Sequence, residues 1–137
     1  RFWYTSNMVT DIHLYNQAQA DSERVICDEL LRIIETHLKK SEGKIWHRHP
    51  VWFLDGNPVV GYSKLKAGIR LMFWSGADFG EVGLVPGTGK FKDASVTYTN
   101  VGQVVEKDVK RWLKKSKEIQ WDYKNIVKRK GKLVRLV

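Results

Sequence analysis

The feature that most constrains the fold is a change of hydrophobic period along the chain, from helical to strand-like and back to helical. Between residues 25 and 38, apolar side chains recur every three or four residues and so form one helical face. Asp21 and Ser22 precede this stretch as capping residues, and Gly43 follows it as a stop signal. The pattern predicts a helix over residues 22–40. Its apolar face consists of Val25, Ile26, Leu30, Ile33, Ile34 and Leu38.

The middle of the chain is rich in β-branched and aromatic residues, in three runs at 45–54, 59–66 and 69–74. The runs are separated by Asp-Gly-Asn-Pro and Lys-Ala-Gly, which are turn sequences. A glycine-rich loop follows, and a fourth run at 94–99 then has strand character. These runs predict four antiparallel strands.

The helical period returns at Val105 and continues to Ile126, with lysine and arginine between the apolar positions. It predicts either one long amphipathic helix or two helices broken near Lys117, ending at Gly131. The order of the predicted elements is typical of an α+β fold. We expect an antiparallel sheet of four or more strands, with the N- and C-terminal helices packed on one face.

A chain of 137 residues is long enough for one domain with a sizeable core. We assign residues 21–131 to that domain and residues 132–137 to a basic, mobile tail. Residues 1–20 are interpreted as a leader, with an extra helical turn as the alternative for 9–20. Met8 could be the natural start, so residues 1–7 are left out of the fold argument.

Cellular location is predicted from two features of the composition. Apolar stretches are far shorter than the roughly 20 residues of a membrane helix, so we expect no membrane span. Cys27 is the single cysteine, which excludes an internal disulfide and a zinc site built on cysteine pairs. The reducing cytoplasm is therefore the expected compartment.

Positive charge is concentrated in the last quarter of the chain. Residues 106–137 contain 12 lysines and arginines against 4 acidic residues, whereas residues 1–105 contain 12 against 11. Such a segment can bind polyanions without sequence specificity, or can simply be a solvated helix face and tail. The candidate polyanion-binding residues are Lys114, Lys115, Lys128, Arg129 and Lys130.

His47 and His49 are two residues apart in a predicted strand, so their side chains would share one face. That spacing makes them weak candidates for a transition-metal site, and the alternative is that both have structural roles. A third ligand would have to come from elsewhere in the chain. The residues considered for it are His13, His37, Asp55 and Glu81.

Aromatic residues are concentrated in the three central runs, where one face of the sheet must lie beneath the helices. Trp46 and Trp52 would share one face and His47 and Phe53 the other, unless Pro50 introduces a bulge. The face away from the helices predicts a groove for a ligand or partner, with cross-strand packing as the alternative. Its candidate residues are Trp46, His47, Trp52, Tyr62, Lys64, Phe73 and Trp74.

No catalytic signature accompanies these aromatic residues. The string Pro-Gly-Thr-Gly-Lys at 86–90 lacks the glycine spacing and the hydroxyl residue of a phosphate-binding loop. Neither a nucleophile elbow nor a dinucleotide-binding glycine motif is present. We therefore expect a binding domain without enzymatic activity and without a cofactor.

Four segments resemble the YdhG-like family of bacterial domains of unknown function: 49–58 (HPVWFLDGNP), 60–66 (VGYSKLK), 70–76 (RLMFWSG) and 119–126 (IQWDYKNI). The resemblance spans about 22–131. It implies an α+β fold similar to that of frataxin. Some members of the family are described as intracellular iron chaperones, so the resemblance implies iron as a possible cargo.

Iron handling of the frataxin type requires an acidic ridge on the first helix. The acidic residues available there are Asp21, Glu23, Asp28, Glu29 and Glu35. Basic residues alternate with them, which departs from the several converging oxygens that hard cations require. An iron carrier is therefore the first alternative, and a non-specific nucleic-acid binder the second. The preferred hypothesis is a cytoplasmic binding domain, monomeric or homodimeric, for a small molecule or protein.

Overall fold

The computed structural model describes residues 10–137. Their six strands form one antiparallel sheet with the order β1-β2-β3-β4-β6-β5. Residues 1–9 of the predicted leader, which include the candidate start Met8, lie outside the described residues. Two single-turn 3-10 helices, Gly76–Asp78 and Val101–Gln103, occur in the connections. The remaining elements are α1 (Asp11–Gln17), α2 (Asp21–His37), β1 (Glu42–Trp46), β2 (His49–Leu54), β3 (Asn57–Leu65), β4 (Gly68–Phe73), β5 (Val85–Pro86), β6 (Ala94–Tyr98) and α3 (Glu106–Glu118).

The three helices pack on one face of the sheet, and the main core lies between these two layers. Helix α2 contributes the predicted apolar face, although Val25 is exposed. Helix α3 adds Val109, Trp112 and Leu113 to the same core. The predicted α+β fold with helices on one face is thereby confirmed. We call the helix-covered side the inner face of the sheet and the opposite side the outer face.

Helix α1 forms where the sequence predicts only a leader or a single extra turn. The Thr10 side chain caps its N-terminus, but seven residues are too few for a helix that is stable by itself. Tertiary hydrogen bonds hold it in place. The Asn16 amide donates to Asp28 and its carbonyl accepts from the Tyr62 hydroxyl, while the Tyr15 hydroxyl accepts from the backbone of Lys64.

The boundaries of α2 also differ from the prediction. Its N-cap is Ala20, without a side-chain cap, and the helix ends at His37. Gly43, predicted as a stop signal, instead lies inside β1. A Cβ atom at Gly43 would collide with the indole of Trp52, so a glycine is required there by the close approach of β1 to the core.

The predicted single strand over 45–54 is two strands joined by a tight turn. His47 and Arg48 form this turn with φ angles of 51° and 75°. Both angles are in the left-handed region that two-residue hairpin turns require and that glycine or asparagine normally supplies. Because neither residue is a typical turn former, the sequence pattern did not predict the hairpin.

The C-terminal segment follows neither predicted alternative in full: the helix breaks close to Lys117, as the second alternative predicted, but no second helix follows within residues 119–137. Helix α3 ends at Glu118, and the remainder is held by the side chain of Asn57, which is buried at the β2–β3 turn. The amide of Asn57 donates to Gln120 and to the backbone of Trp121, and its carbonyl accepts from the backbone of Tyr123 and Lys124. These bonds lead the chain around the end of the sheet from the inner to the outer face.

The last residues are paired with the chain that follows α3, rather than forming a mobile tail. The backbone of Asp122 donates to Val134, and that of Leu136 donates to Gln120. An isolated antiparallel bridge joins Trp121 to Arg135. The basic charge at 132–137 therefore lies on an ordered segment.

The glycine-rich loop between β4 and β6 is anchored to α3 through Glu81. The carboxylate of Glu81 is 8% exposed and accepts hydrogen bonds from Arg111, Trp112 and Lys115. The Arg111 guanidinium, followed by these other donors, holds the pKa of Glu81 well below its usual range.

Within residues 10–137, no helix combines the length and the apolar character needed to cross a membrane.

Candidate functional site

The outer face is shaped by strict alternation along β4. Ile69, Leu71 and Phe73 point into the core, so Arg70 and Met72 point outward. Next to Arg70 on the neighbouring strands are Ser63 of β3 and Thr97 of β6. Arg70 is therefore fixed near the middle of a rigid sheet surface, among small polar neighbours.

A groove of about 400 Å³ lies on this face. Its base and one side come from β1, β4 and the residue that follows β4, and its other side comes from the end of the long loop and from the C-terminal segment. Parts of the chain that are far apart in sequence thus meet around one cavity. Its lining consists of Trp46, Arg70, Met72, Trp74, Phe91, Asp93, Tyr123 and Ile126.

Tryptophan rings form one side of the groove. The centroid of the Trp46 ring is 6.3 Å from that of Trp74 and 5.5 Å from that of Phe53. Gly61 lies beneath Trp74, since a Cβ atom there would be 3.3 Å from the Trp74 ring and 2.6 Å from the Pro50 carbonyl oxygen. The absent side chain lets the Trp74 ring rest directly against β3.

Tyr123 forms the opposite side and is held at both ends. Its backbone donates to Asn57, and its hydroxyl accepts a 2.9 Å hydrogen bond from the backbone of Lys92. Its ring centroid is 6.2 Å from that of Phe91. Burial raises the pKa of Tyr123 to about 12, so the hydroxyl stays neutral at physiological pH.

Arg70 is the only cationic side chain in the lining. It is half-buried, and its Nε atom is shielded from solvent without a hydrogen-bond partner among residues 10–137. Asp93 lines the same groove. The ion pairs of that part of the chain involve neither Arg70 nor Asp93.

His49 lies beside the groove, directly across from Trp46 in the pairing of β1 with β2. Burial lowers the pKa of His49, and the positive charge of Arg70 lowers it further. The imidazole is therefore neutral at physiological pH. Arg70 thus remains the one positive charge among the side chains that line the groove.

The structure separates the predicted groove residues into two groups. Trp46 and Trp74 line the groove, and His47 contacts the Trp46 ring from the turn, with 4.2 Å between ring centroids. The prediction that Trp46 and Trp52 share a face is wrong, because the turn at 47–48 interrupts the alternation. The other predicted residues face inward: Trp52, Tyr62 and Phe73 belong to the core, and Lys64 forms an ion pair with Glu23.

The two histidines do not form the predicted pair on one strand, since His47 is in the turn and His49 is in β2. Two of the third ligands considered are bound elsewhere: His37 contacts Glu106, and Glu81 contacts α3. The part of the chain described by the structure contains no group of three or more histidine, cysteine or acidic side chains arranged for a metal ion.

Four of the five acidic residues of α2 have partners within the protein; the fifth is Glu35. Asp21 pairs with Arg24, Glu29 with Arg32, and Glu23 with Lys64. Asp28 accepts a hydrogen bond from Asn16. Their oxygens therefore point to separate cations and donors instead of converging on one position.

The five candidate polyanion-binding residues are divided between two places. Lys114 is exposed on α3, whereas the neighbouring Lys115 is bound to Glu81 and to the carbonyl of Phe79. Lys128 and Lys130 are exposed in the C-terminal segment. Between them, Arg129 forms an ion pair with the buried Asp122. Two of the five charges thus already have acidic partners.

Most of the groove lining was not identified from the sequence. Phe91, Asp93, Tyr123 and Ile126 come from segments that were interpreted as a loop and as helix. Arg70 had a usable signal, because an arginine between the buried positions 69 and 71 of a predicted strand must point to the opposite face.

Comparison with known proteins gives one informative match. The chain has the fold of a crystallographically determined protein of the DUF1801 family, YdhG from Bacillus subtilis, with a TM-score of 0.58 and 16% sequence identity. The match covers 88% of this chain and 92% of that one. It confirms the predicted resemblance at the level of the fold. No protein-family model matches the chain, and none of the curated proteins matches it.

Proposed function

We propose that this protein is a small binding domain that takes up a flat aromatic molecule in the outer-face groove. The observation that carries the proposal is the lining itself: aromatic side chains from β1, from the end of β4, from the loop and from the C-terminal segment surround one cavity. Its volume of about 400 Å³ is within the usual range of roughly 300–1,000 Å³ for small-molecule sites.

The exposure of these rings supports the same function. Trp46 is 36% exposed and Phe91 is 44% exposed. Aromatic faces left open to water favour a flat apolar partner, because stacking removes their surface from water and adds about 0.5–1.5 kcal/mol for each ring pair. A planar ligand between the Trp46 and Tyr123 sides of the groove would gain both contributions.

The absence of catalytic chemistry is part of this proposal. The groove contains one arginine, one aspartate and one tyrosine, and Asp93 is not paired with a histidine or another carboxylate that could shift a proton. We therefore propose binding without turnover and without a cofactor. The iron carrier and the nucleic-acid binder are supported less well, because four of the five carboxylates of α2 and two of the five basic candidates have internal partners.

The experiment is a titration with 2-naphthamide, a neutral two-ring probe, followed by the indole N–H signals of the tryptophans in nitrogen–proton NMR spectra. The signals of Trp46 and Trp74 should shift, while those of Trp52 and Trp112 in the core should not. Replacing Trp46 by alanine should weaken binding at least tenfold. If neither groove tryptophan responds at millimolar probe, the proposal is wrong.

A matched control is available in Trp121. Its indole N–H donates to Asp78 and its ring contacts Lys92 and Arg135, but it does not line the groove. Trp121→Ala removes the same amount of aromatic surface as Trp46→Ala. It should leave the affinity for 2-naphthamide within about twofold of the unmodified protein. An equal loss in both variants would indicate unspecific contact with exposed tryptophan.

A further inference from the structure

We infer that the natural ligand of the groove is an aromatic monocarboxylate and that Arg70 binds its carboxylate group; this inference rests on the proposed function. The starting observation is an arginine in the middle of β4 whose Nε atom is buried without a partner among residues 10–137. That atom is shielded from solvent and is therefore closed to a ligand as well, but the rest of the guanidinium lines the groove. None of the ion pairs within residues 10–137 involves Arg70, so its charge is left for an acceptor from outside.

The geometry of arginine specifies the kind of acceptor. A guanidinium presents its N–H groups in a planar fork that matches the two oxygens of a carboxylate, and charged hydrogen bonds of this type are the stronger ones. The aromatic rings of Trp46 and Trp74 line the same cavity as Arg70. A ligand whose flat ring carries a carboxylate could therefore stack and form the bidentate pair at the same time.

The net charge of the lining favours a monoanion over a phosphate ester. Arg70 contributes one positive charge and Asp93 one negative charge, and the neutral His49 adds none. A phosphate monoester carries nearly two negative charges at neutral pH. With two charges it would exceed what one guanidinium can balance and would be repelled more strongly by Asp93, whereas a single carboxylate matches the charge of Arg70 and is repelled less.

The position of Arg70 in the sheet prepares it for a ligand before binding. Its backbone is paired on both sides, with Ser63 and with Thr97, in the centre of the sheet. Neither neighbour carries a charge. The sheet consequently fixes the backbone of Arg70, and the half-burial of its side chain restricts the stem before a ligand arrives, which lowers the entropic cost of binding.

The experiment compares three probes that share one ring system: 2-naphthoate, 2-naphthamide and 2-naphthyl phosphate, each measured by calorimetry at pH 7.5. We expect 2-naphthoate to bind 10- to 100-fold more tightly than 2-naphthamide, and the phosphate to bind more weakly than the carboxylate. Arg70→Gln should lower the affinity for 2-naphthoate to that for 2-naphthamide. Arg70→Lys, which keeps the charge but loses the fork, should recover only part of the difference.

Two further variants separate this role from a general effect of charge. Lys44 is also on the outer face, above the Phe53 ring, but does not line the groove. Lys44→Gln should leave the preference for 2-naphthoate unchanged. Asp93→Asn should strengthen binding of 2-naphthyl phosphate at least fivefold and should affect 2-naphthamide little, because it removes only the repulsion.

The outcomes distinguish the inference from the proposed function. If no probe binds, the proposed function fails and the inference fails with it. If 2-naphthamide and 2-naphthoate bind equally and Arg70→Gln changes neither, the groove binds aromatic rings but the carboxylate assignment is wrong. Tighter binding of the phosphate than of the carboxylate would also overturn it. Unchanged tryptophan N–H signals in the free Arg70 variants would verify that they are folded.

Discussion

The two faces of the sheet contain similar aromatic residues, which are buried on the inner face and partly exposed to solvent on the outer face. On the inner face, Trp52, Tyr62 and Phe73 are at most 1% exposed beneath the helices. On the outer face, Trp46 and Trp74 are covered only in part, by a loop and by the C-terminal segment. Aromatic content in the strands therefore does not distinguish core from site; the element that covers each face does.

Within residues 10–137, each face has one buried donor without a partner: the Nε1 atom of Trp52 on the inner face and the Nε atom of Arg70 on the outer face. On the inner face, the Tyr62 hydroxyl donates to Asn16, and the Asn16 amide donates to Asp28, so each group of this buried chain has a partner. On the outer face, the Nε atom of Arg70 has none among residues 10–137. The two residues differ in their access to a ligand, because the Trp52 indole lies in the closed core whereas the Arg70 guanidinium lines the open groove.

The largest expected difference comes from truncating one side chain on each side of the sheet. Ile34 of α2 is fully buried in the core, so Ile34→Ala should lower the free energy of unfolding by about 2–5 kcal/mol. Met72 points into the open groove, so Met72→Ala should cost about 1 kcal/mol or less. Urea denaturation of both variants would measure this. Equal losses would mean that the outer face is as much a core as the inner one.

A second prediction concerns the buried side chain that carries the C-terminal segment from one face to the other. Asn57→Ala removes four hydrogen bonds and leaves buried backbone groups unsatisfied, so we expect a loss of about 2 kcal/mol. Because Tyr123 is positioned by Asn57, 2-naphthamide should also bind more weakly. Gln120→Ala, which removes only one acceptor of the Asn57 amide, is the control and should cost less than half as much. Unchanged stability in Asn57→Ala would exclude this bridging role.

A smaller effect is expected from His49, which titrates on the outer face. Its pKa in the folded protein is below the unperturbed value of 6.5, so the unfolded chain binds its proton more strongly. The contribution of His49 to stability is therefore complete above pH 6.5 and is lost as the pH falls through that value towards the folded pKa. The difference in unfolding free energy between the protein and His49→Gln should change in this window. A difference that is flat between pH 5 and 7.5 would contradict the lowered pKa.

The smallest effect is expected from metal removal, which tests whether either face depends on a metal ion. Among residues 10–137 no cluster of three metal-binding side chains exists, and four of the five acidic groups of α2 have partners within the protein. Addition of EDTA should leave the melting temperature unchanged within 1 °C, an expectation based on the roughly 10 kcal/mol or more that a structural metal contributes. A drop of many degrees would reveal a structural metal.

The inner face was largely predictable from the sequence, because its signals are local. The apolar stripe of α2 and the alternation in β3 and β4 each depend on residues within one element. The hairpin between β1 and β2 was not predictable, since His47 and Arg48 adopt positive φ angles without being typical turn residues. Helix α1 was missed for a related reason: its stability comes from Tyr15 and Asn16 contacting other elements.

The groove could be predicted only as a surface with exposed aromatics. Its lining joins Trp46 to Tyr123, which are far apart in the chain, and no periodicity relates them. The predicted continuation of α3 failed at Ile119, where the backbone becomes extended and Asn57 replaces helical hydrogen bonds with its own. Tertiary contacts of this kind leave no trace in the hydrophobic pattern.

The single buried cysteine, Cys27, allows the rate at which the domain opens to be measured by thiol labelling. The thiol is completely buried within α2, and burial, followed by nearby acidic charges, raises its pKa to about 12. A thiol reagent can react with it only when the helices separate from the sheet, so the labelling rate reports how often the domain opens. Since no other cysteine is present, a second thiol placed at the rim of the groove could carry a fluorophore while the first stays unmodified. Opening of the whole domain and movement at the groove could then be timed independently in one molecule.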